Sequence, residues 1–122
     1  MKLQFIETTY SVCQLPAKTT IPDWASSYMA VIRTDDELTI ITATGTVPET
    51  VKAEHDFACF RVTGNLAFDV IGVIAAISRV LAESEIPILS VSTYNTDYFL
   101  IANANLDLAR LSLHRAGYEI LN

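Results

Sequence analysis

Two histidines, two cysteines and one acidic run are the side chains whose types most invite chemistry. Asp35-Asp36-Glu37 puts three carboxylates side by side between two β-rich segments. A calcium loop spaces its oxygen ligands differently, so the run reads as a solvated turn. His55 beside Asp56 could serve as a base with its orienting carboxylate. No serine or cysteine stands near it in the sequence as a nucleophile, and the pair is expected at the surface. His114 has no metal partner in sequence and, with Arg115, suits the negative end of a helix. Cys13 and Cys59 each fall inside an apolar, strand-like run, the setting of buried reduced thiols rather than of a disulfide. Glycine-rich phosphate loops and zinc spacings are absent. The residues therefore point away from catalysis, and no metal or cofactor is expected.

The elements that would position any site centre on residues 66–100. Leu66-Ala67-Phe68-Asp69 reads as a lead-in loop. Val70, Val73, Ile74, Ile77, Val80 and Leu81 then follow the three-and-four spacing of one buried helix face, predicting a helix over 70–83. Pro87 must end it. Two β-rich runs follow, 88–94 and 97–101, joined by the turn-compatible pair Asn95-Thr96.

Ahead of this core, residues 3–8 and 10–15 read as two extended segments, the second closed by Pro16. Residues 19–27 could make one or two helical turns capped by Thr20 or Asp23, with Trp24 as a packing anchor. Residues 29–33 and 38–44 form a hairpin around the polar turn 34–37. Pro48 opens a short helical or irregular connector over 48–54. A strand over 57–62 delivers the chain to Thr63-Gly64-Asn65. At the far end, residues 105–116 read as a second helix with Asn105 as cap, Asp107 near its positive end and Gly117 as its left-handed stop. Residues 118–121 close as a strand. The second half is thus strand, helix, strand, strand, helix, strand: an α+β, ferredoxin-like βαββαβ plan. The first half is a shorter echo of it, which divides the chain at 1–55 and 56–122.

At 122 residues and 51% hydrophobic, the chain holds more apolar surface than so small a core needs. No apolar run is long enough to cross a membrane, so the excess is expected in a subunit contact, most simply a homodimer. A net charge of −6 without any Lys/Arg cluster argues against nucleic acid and anionic membrane as partners. The N-terminus has no continuous apolar segment of the signal-peptide kind, and a cytoplasmic location is expected.

Phe68-Asp69-Val70-Ile71-Gly72-Val73-Ile74, followed by the run from Ser92-Thr93-Tyr94 to Asp97-Tyr98, resembles the ACT domain. Within that family it is most similar to small bacterial two-ACT proteins related to the cytosolic arginine sensors of animals. The resemblance is good over residues 57–120 and looser over 3–51. It implies a non-catalytic regulatory fold that binds a free amino acid, or a similar small zwitterion, where two ACT units meet. Carried over by position, the helix-opening loop would contribute Val70, Ile71, Gly72, Val73 and Ile74. The hairpin would contribute Thr93, Tyr94, Asn95 and Asp97. Elementary chemistry agrees with that use. Gly72 lets a ligand approach the backbone. Amides at a helix start favour a carboxylate. Asp97 suits an ammonium. The same residues have structural roles open to them: Gly72 could permit close helix–sheet packing, and Asp97 could belong to the turn with Asn95. The arginine-sensing relatives carry an acidic residue where this chain has Val70, which disfavours arginine. A structural module that dimerises or meets another protein, having lost the ligand, is the alternative.

Overall fold

Residues of high β-propensity run with little interruption through the start of the chain. In the computed structural model, which describes residues 1–64 and 70–121, they form one strand, β1 (Lys2–Leu15). The two segments read from the sequence are continuous because Thr8, Thr9 and Tyr10 all favour extended backbone and nothing there breaks it. Leu66-Ala67-Phe68-Asp69 lies outside the described residues.

The chain divides into two units: one holds Met1–Glu7 with Ala58–Asn122, the other Thr8–Phe57. Strand β1 supplies residues to both.

In the unit Thr8–Phe57, β2 (Tyr28–Arg33) and β3 (Leu38–Ala43) form the expected hairpin, with β3 antiparallel to β1 from Tyr10↔Ala43 to Leu15↔Leu38. The turn is closed by the Thr34 amide donating to the Glu37 carbonyl at 2.9 Å. Thr34 Oγ1 also accepts from the amides of Asp36 and Glu37, which accounts for the acidic run as turn structure. A single 3₁₀ turn over Asp23–Ala25 replaces the helical turns, with Pro22 rather than a polar side chain ahead of it. Cys13, Ala25, Leu38 and Ile40 form the core, and Trp24 packs against it as an anchor.

Strand β4 (Lys52–Val62) begins earlier than the sequence suggests. Residues 48–51 make only a turn, the Val51 amide donating to the Pro48 carbonyl. The strand then continues through polar Glu54-His55-Asp56, where Asp56 takes a left-handed backbone, φ +64°. Asp tolerates that conformation, which is typical of a bulge residue.

The other unit contains β4, α1 (Val73–Glu83), β5 (Leu89–Ser92), β6 (Asp97–Ala102), α2 (Leu106–Arg115) and β7 (Glu119–Leu121) in the ferredoxin-like βαββαβ order. Its sheet runs β5-β6-β4-β1, and β7 pairs with β1 in parallel over Lys2↔Glu119, Leu3↔Ile120 and Gln4↔Leu121. The first residues of the chain are therefore a strand of the sheet that the last residues close. Phe60 stacks between Phe5, 4.9 Å away, and Phe99, 5.1 Å away, so three neighbouring strands meet at one aromatic column. Each such pair contributes roughly 0.5–1.5 kcal/mol beyond its buried area. Ile77 and Leu81 of α1 and Ala109 and Leu113 of α2 cover this column.

Helix α1 starts at Val73, three residues later than its periodicity suggests, because Gly72 ahead of it is left-handed, φ +88°. Its end is fixed by the Ile86 amide donating to the Leu81 carbonyl, with Glu85 left-handed at φ +58° and Pro87 beyond. Helix α2 is entered through a 3₁₀ turn, Asn103–Asn105, so Asn105 makes no side-chain cap. Gly117 does stop it: φ is +100°, and the amides of Gly117 and Tyr118 donate back to His114 and Leu113.

Candidate functional site

The start of α1 and the β5–β6 turn belong to the same unit, and between them lies an open cavity of about 320 Å³. One wall is aliphatic backbone and side chain: Val70, Gly72, Val73, Ile74 and Ala75. The other is polar: Ser92, Thr93, Tyr94, Asn95, Thr96 and Asp97. The residues singled out from the sequence thus come together, with one exception. Ile71 is 94% exposed and does not line the cavity. Three lining residues went unread: Ala75, Ser92 and Thr96.

Each wall follows from local chemistry. Gly72 must be glycine for its backbone, since an L side chain at φ +88° is strained. A Cβ built there would meet nothing within 4 Å, so close helix–sheet packing is not the reason for it. The first intrahelical bond runs from the Ala76 amide to the Gly72 carbonyl at 2.9 Å, leaving the amides of Val73, Ile74 and Ala75 without an acceptor inside the helix. Gly72 offers no side-chain cap and the first turn has no acidic residue. Among the described residues, the first turn of α1 thus brings no carboxylate to the positive end of its dipole.

On the facing wall, Thr93 closes the turn. Its amide donates to the Thr96 carbonyl at 2.8 Å, and its Oγ1 receives the Thr96 amide. Thr96 Oγ1 is buried and donates to the Val62 carbonyl at 2.9 Å, tying the turn to the end of β4. The strand therefore ends at Ser92 and not at Tyr94, because residues 93–96 are consumed by the turn. Asp97 is opposite Ser92 in the ladder, and Ser92 Oγ donates to Asp97 Oδ1 at 2.7 Å. The sequence signal for Ser92 was its place at the far side of a four-residue turn from Asp97.

The remaining chemistry-bearing residues lie elsewhere. Ser11 is buried, and its Oγ is 2.7 Å from His55 Nδ1 and 3.1 Å from Thr44 Oγ1. The sequence hides this pairing, since Ser11 and His55 are far apart along the chain. His55 is exposed, as expected, but the serine it meets is sealed from solvent, so the contact joins strands rather than activating a nucleophile. Cys13 and Cys59 are both free and buried; burial pushes the Cys13 thiol up and the Cys59 thiol up to about 12. Such thiols are inert. Among the described residues no group of three or more His, Cys, Asp or Glu could hold a metal, and no helix is long and apolar enough to cross a membrane.

A family model for the ACT domain matches residues 52–115, which include both walls of the cavity. The chain belongs to the ACT-domain family. A second model, for an N-terminal domain, matches residues 8–50. Among solved structures, an Agobacterium tumefaciens protein is similar over 98% of this chain and 91% of its own, with 31% identity and a TM-score of 0.91. A Vibrio cholerae protein of unknown function shares 18% identity over 93% of this chain and 88% of its own, with a TM-score of 0.78. The regulatory subunit of aspartate kinase from Thermus thermophilus, at 10% identity, covers 96% of this chain and 98% of its own, with a TM-score of 0.68. A search of curated proteins returns no match. The ACT domain is a regulatory, non-catalytic fold, and this chain is accordingly a small ACT-type regulatory module.

Proposed function

We propose that this ACT module binds a free amino acid, or a similar small zwitterion, in the cavity between the α1 start and the β5–β6 turn. The observation that carries the reading is the charge arrangement across that cavity. Helix amides whose described first turn holds no acid lie in the same cavity as Asp97, a carboxylate held by Ser92. A ligand carboxylate at the first wall and its ammonium at the second would satisfy both.

A second copy of the chain completes the site. Val70 is 48% exposed and Tyr94 81%, and both stand on the rim of the cavity beside Ile71. Strand β5 ends the sheet order, leaving an edge that another copy can cover. Ligand binding would then alter which surface the homodimer offers to a downstream protein. Two free thiols agree with a reducing, cytoplasmic setting.

The test is calorimetric titration of the purified chain with each of the twenty amino acids, alongside light scattering to give its mass in solution. Binding of at least one amino acid, lost in Asp97→Ala, supports the reading. A dimer that binds none of them at millimolar concentration would leave a ligand-free interaction module in its place. That alternative draws on the same exposed rim.

A further inference from the structure

We infer that the cavity selects amino acids with an aliphatic, uncharged side chain. The inference rests on the amino-acid reading above and narrows it to one chemical class. Among the described lining residues the polar side chains all come from Ser92–Asp97, and Asp97 carries the single charge. A zwitterion that pairs its ammonium with Asp97 uses that charge, and no described lining residue is a cation that could receive an acidic side chain. What remains for the side chain is the wall of Val70, Val73, Ile74 and Ala75, which is aliphatic throughout.

Two of these residues are unusually open for their type: Val70 is 48% and Ile74 37% exposed. An aliphatic ligand side chain laid against them removes apolar surface on both partners from water, which is favourable in proportion to area. An acidic side chain there would be desolvated beside Asp97 without a partner. A basic one would compete with its own ammonium for that carboxylate. At about 320 Å³ the cavity is at the small end of ligand sites, adequate for a branched aliphatic amino acid.

The experiment is titration of the wild-type chain with leucine, isoleucine, valine, glycine, aspartate, lysine and arginine, followed by the tightest of them on Ile74→Ser. Ile74 is partly exposed, so the variant should fold, and circular dichroism checks that it does. At least one of the three aliphatic amino acids is expected to bind about tenfold more tightly than glycine, aspartate, lysine or arginine, with a loss of about tenfold in Ile74→Ser. Aspartate, lysine or arginine binding as tightly as the best of the three aliphatic amino acids overturns the selectivity and leaves the amino-acid reading standing. An Ile74→Ser affinity equal to wild type also overturns it. Silence from all seven while another amino acid binds overturns the selectivity alone, and silence from all twenty overturns both.

Discussion

Ser92 Oγ donates to Asp97 Oδ1 at 2.7 Å across the pair that closes the β5–β6 turn. The bond holds one carboxylate oxygen in place, so in the proposed site the partner of the ammonium would be oriented by the hairpin and not by the ligand. Pre-organisation of this kind reduces the ordering that binding must impose, which is about 0.5–1.5 kcal/mol for a mobile side chain. Ser92→Ala is therefore expected to weaken amino-acid binding about threefold to tenfold. Asp97→Ala, which removes the charge itself, should cost more. Both residues lie at a turn outside the aromatic core, so melting temperatures should stay close to wild type. Calorimetric titration of the two variants checks the order, and equal losses would mean that Ser92 touches the ligand directly.

Gly72 and Glu85 bracket α1 with the same handedness, φ +88° before it and +58° after it. One is a glycine and the other is not, which gives opposite expectations. At Gly72 there is open space for a Cβ, so Gly72→Ala isolates the backbone term. It should destabilise the chain by roughly 1–2 kcal/mol, with Gly72→Asn milder because Asn tolerates the left-handed region. Glu85→Gly should gain up to about 1 kcal/mol by relieving the same strain. Urea unfolding of the three variants measures both signs. A neutral Gly72→Ala would show that the loop can relax around the side chain.

Much of the ACT unit was legible because its signals are local. The three-and-four spacing of α1, Pro87 beyond it and Gly117 at the end of α2 each act within a turn or two of themselves. The pairing of β1 with β7 joins the two ends of the chain, and nothing in Leu3 or Ile120 announces it. The continuity of β1 was hidden for a related reason. Its buried residues alternate along each part of the strand, Leu3 and Phe5 in one core and Cys13 in the other, but polar Glu7-Thr8-Thr9 between them resembles a break. At the cavity, the residue types on both walls were readable. The left-handed Gly72, which sets where α1 begins, was not, because its cause is backbone geometry and not side-chain pattern. Ser11 meeting His55 shows the same limit.

Thr42 is buried, and its Oγ1 has no hydrogen-bond partner among the described residues. Its ladder partner Ser11 is already engaged with Thr44 and His55. A buried hydroxyl without a partner costs about 1–3 kcal/mol relative to one that is satisfied. Thr42→Val keeps the shape and removes the orphan oxygen, so it should raise stability by about 1 kcal/mol. Thr42→Ser keeps the oxygen and removes a packed methyl, so it should lower stability by a similar amount, about 1 kcal/mol. Denaturant midpoints of the pair decide the matter; a destabilised Thr42→Val would mean that the hydroxyl has a partner in solution.

Cys59 sets an upper pH limit on the fold. Its thiol is pushed by burial from 9.0 to about 12, so the native chain holds that proton more tightly than the unfolded chain does. Below pH 9 both states are protonated and the contribution to stability is fully present. As pH rises from 9 towards 12 the unfolded chain releases the proton while the native chain keeps it, and stability falls by up to about 1.4 kcal/mol per pH unit. Cys13 and Tyr118 are raised by burial as well and act in the same direction. Cys59→Ala should be less stable at pH 7 because of the space it leaves, yet its stability should decline less steeply above pH 9. Urea midpoints at pH 7, 9, 10 and 10.5 measure the two slopes. Parallel slopes would place the alkaline loss elsewhere, and rapid alkylation of native Cys59 at pH 8 would contradict its burial.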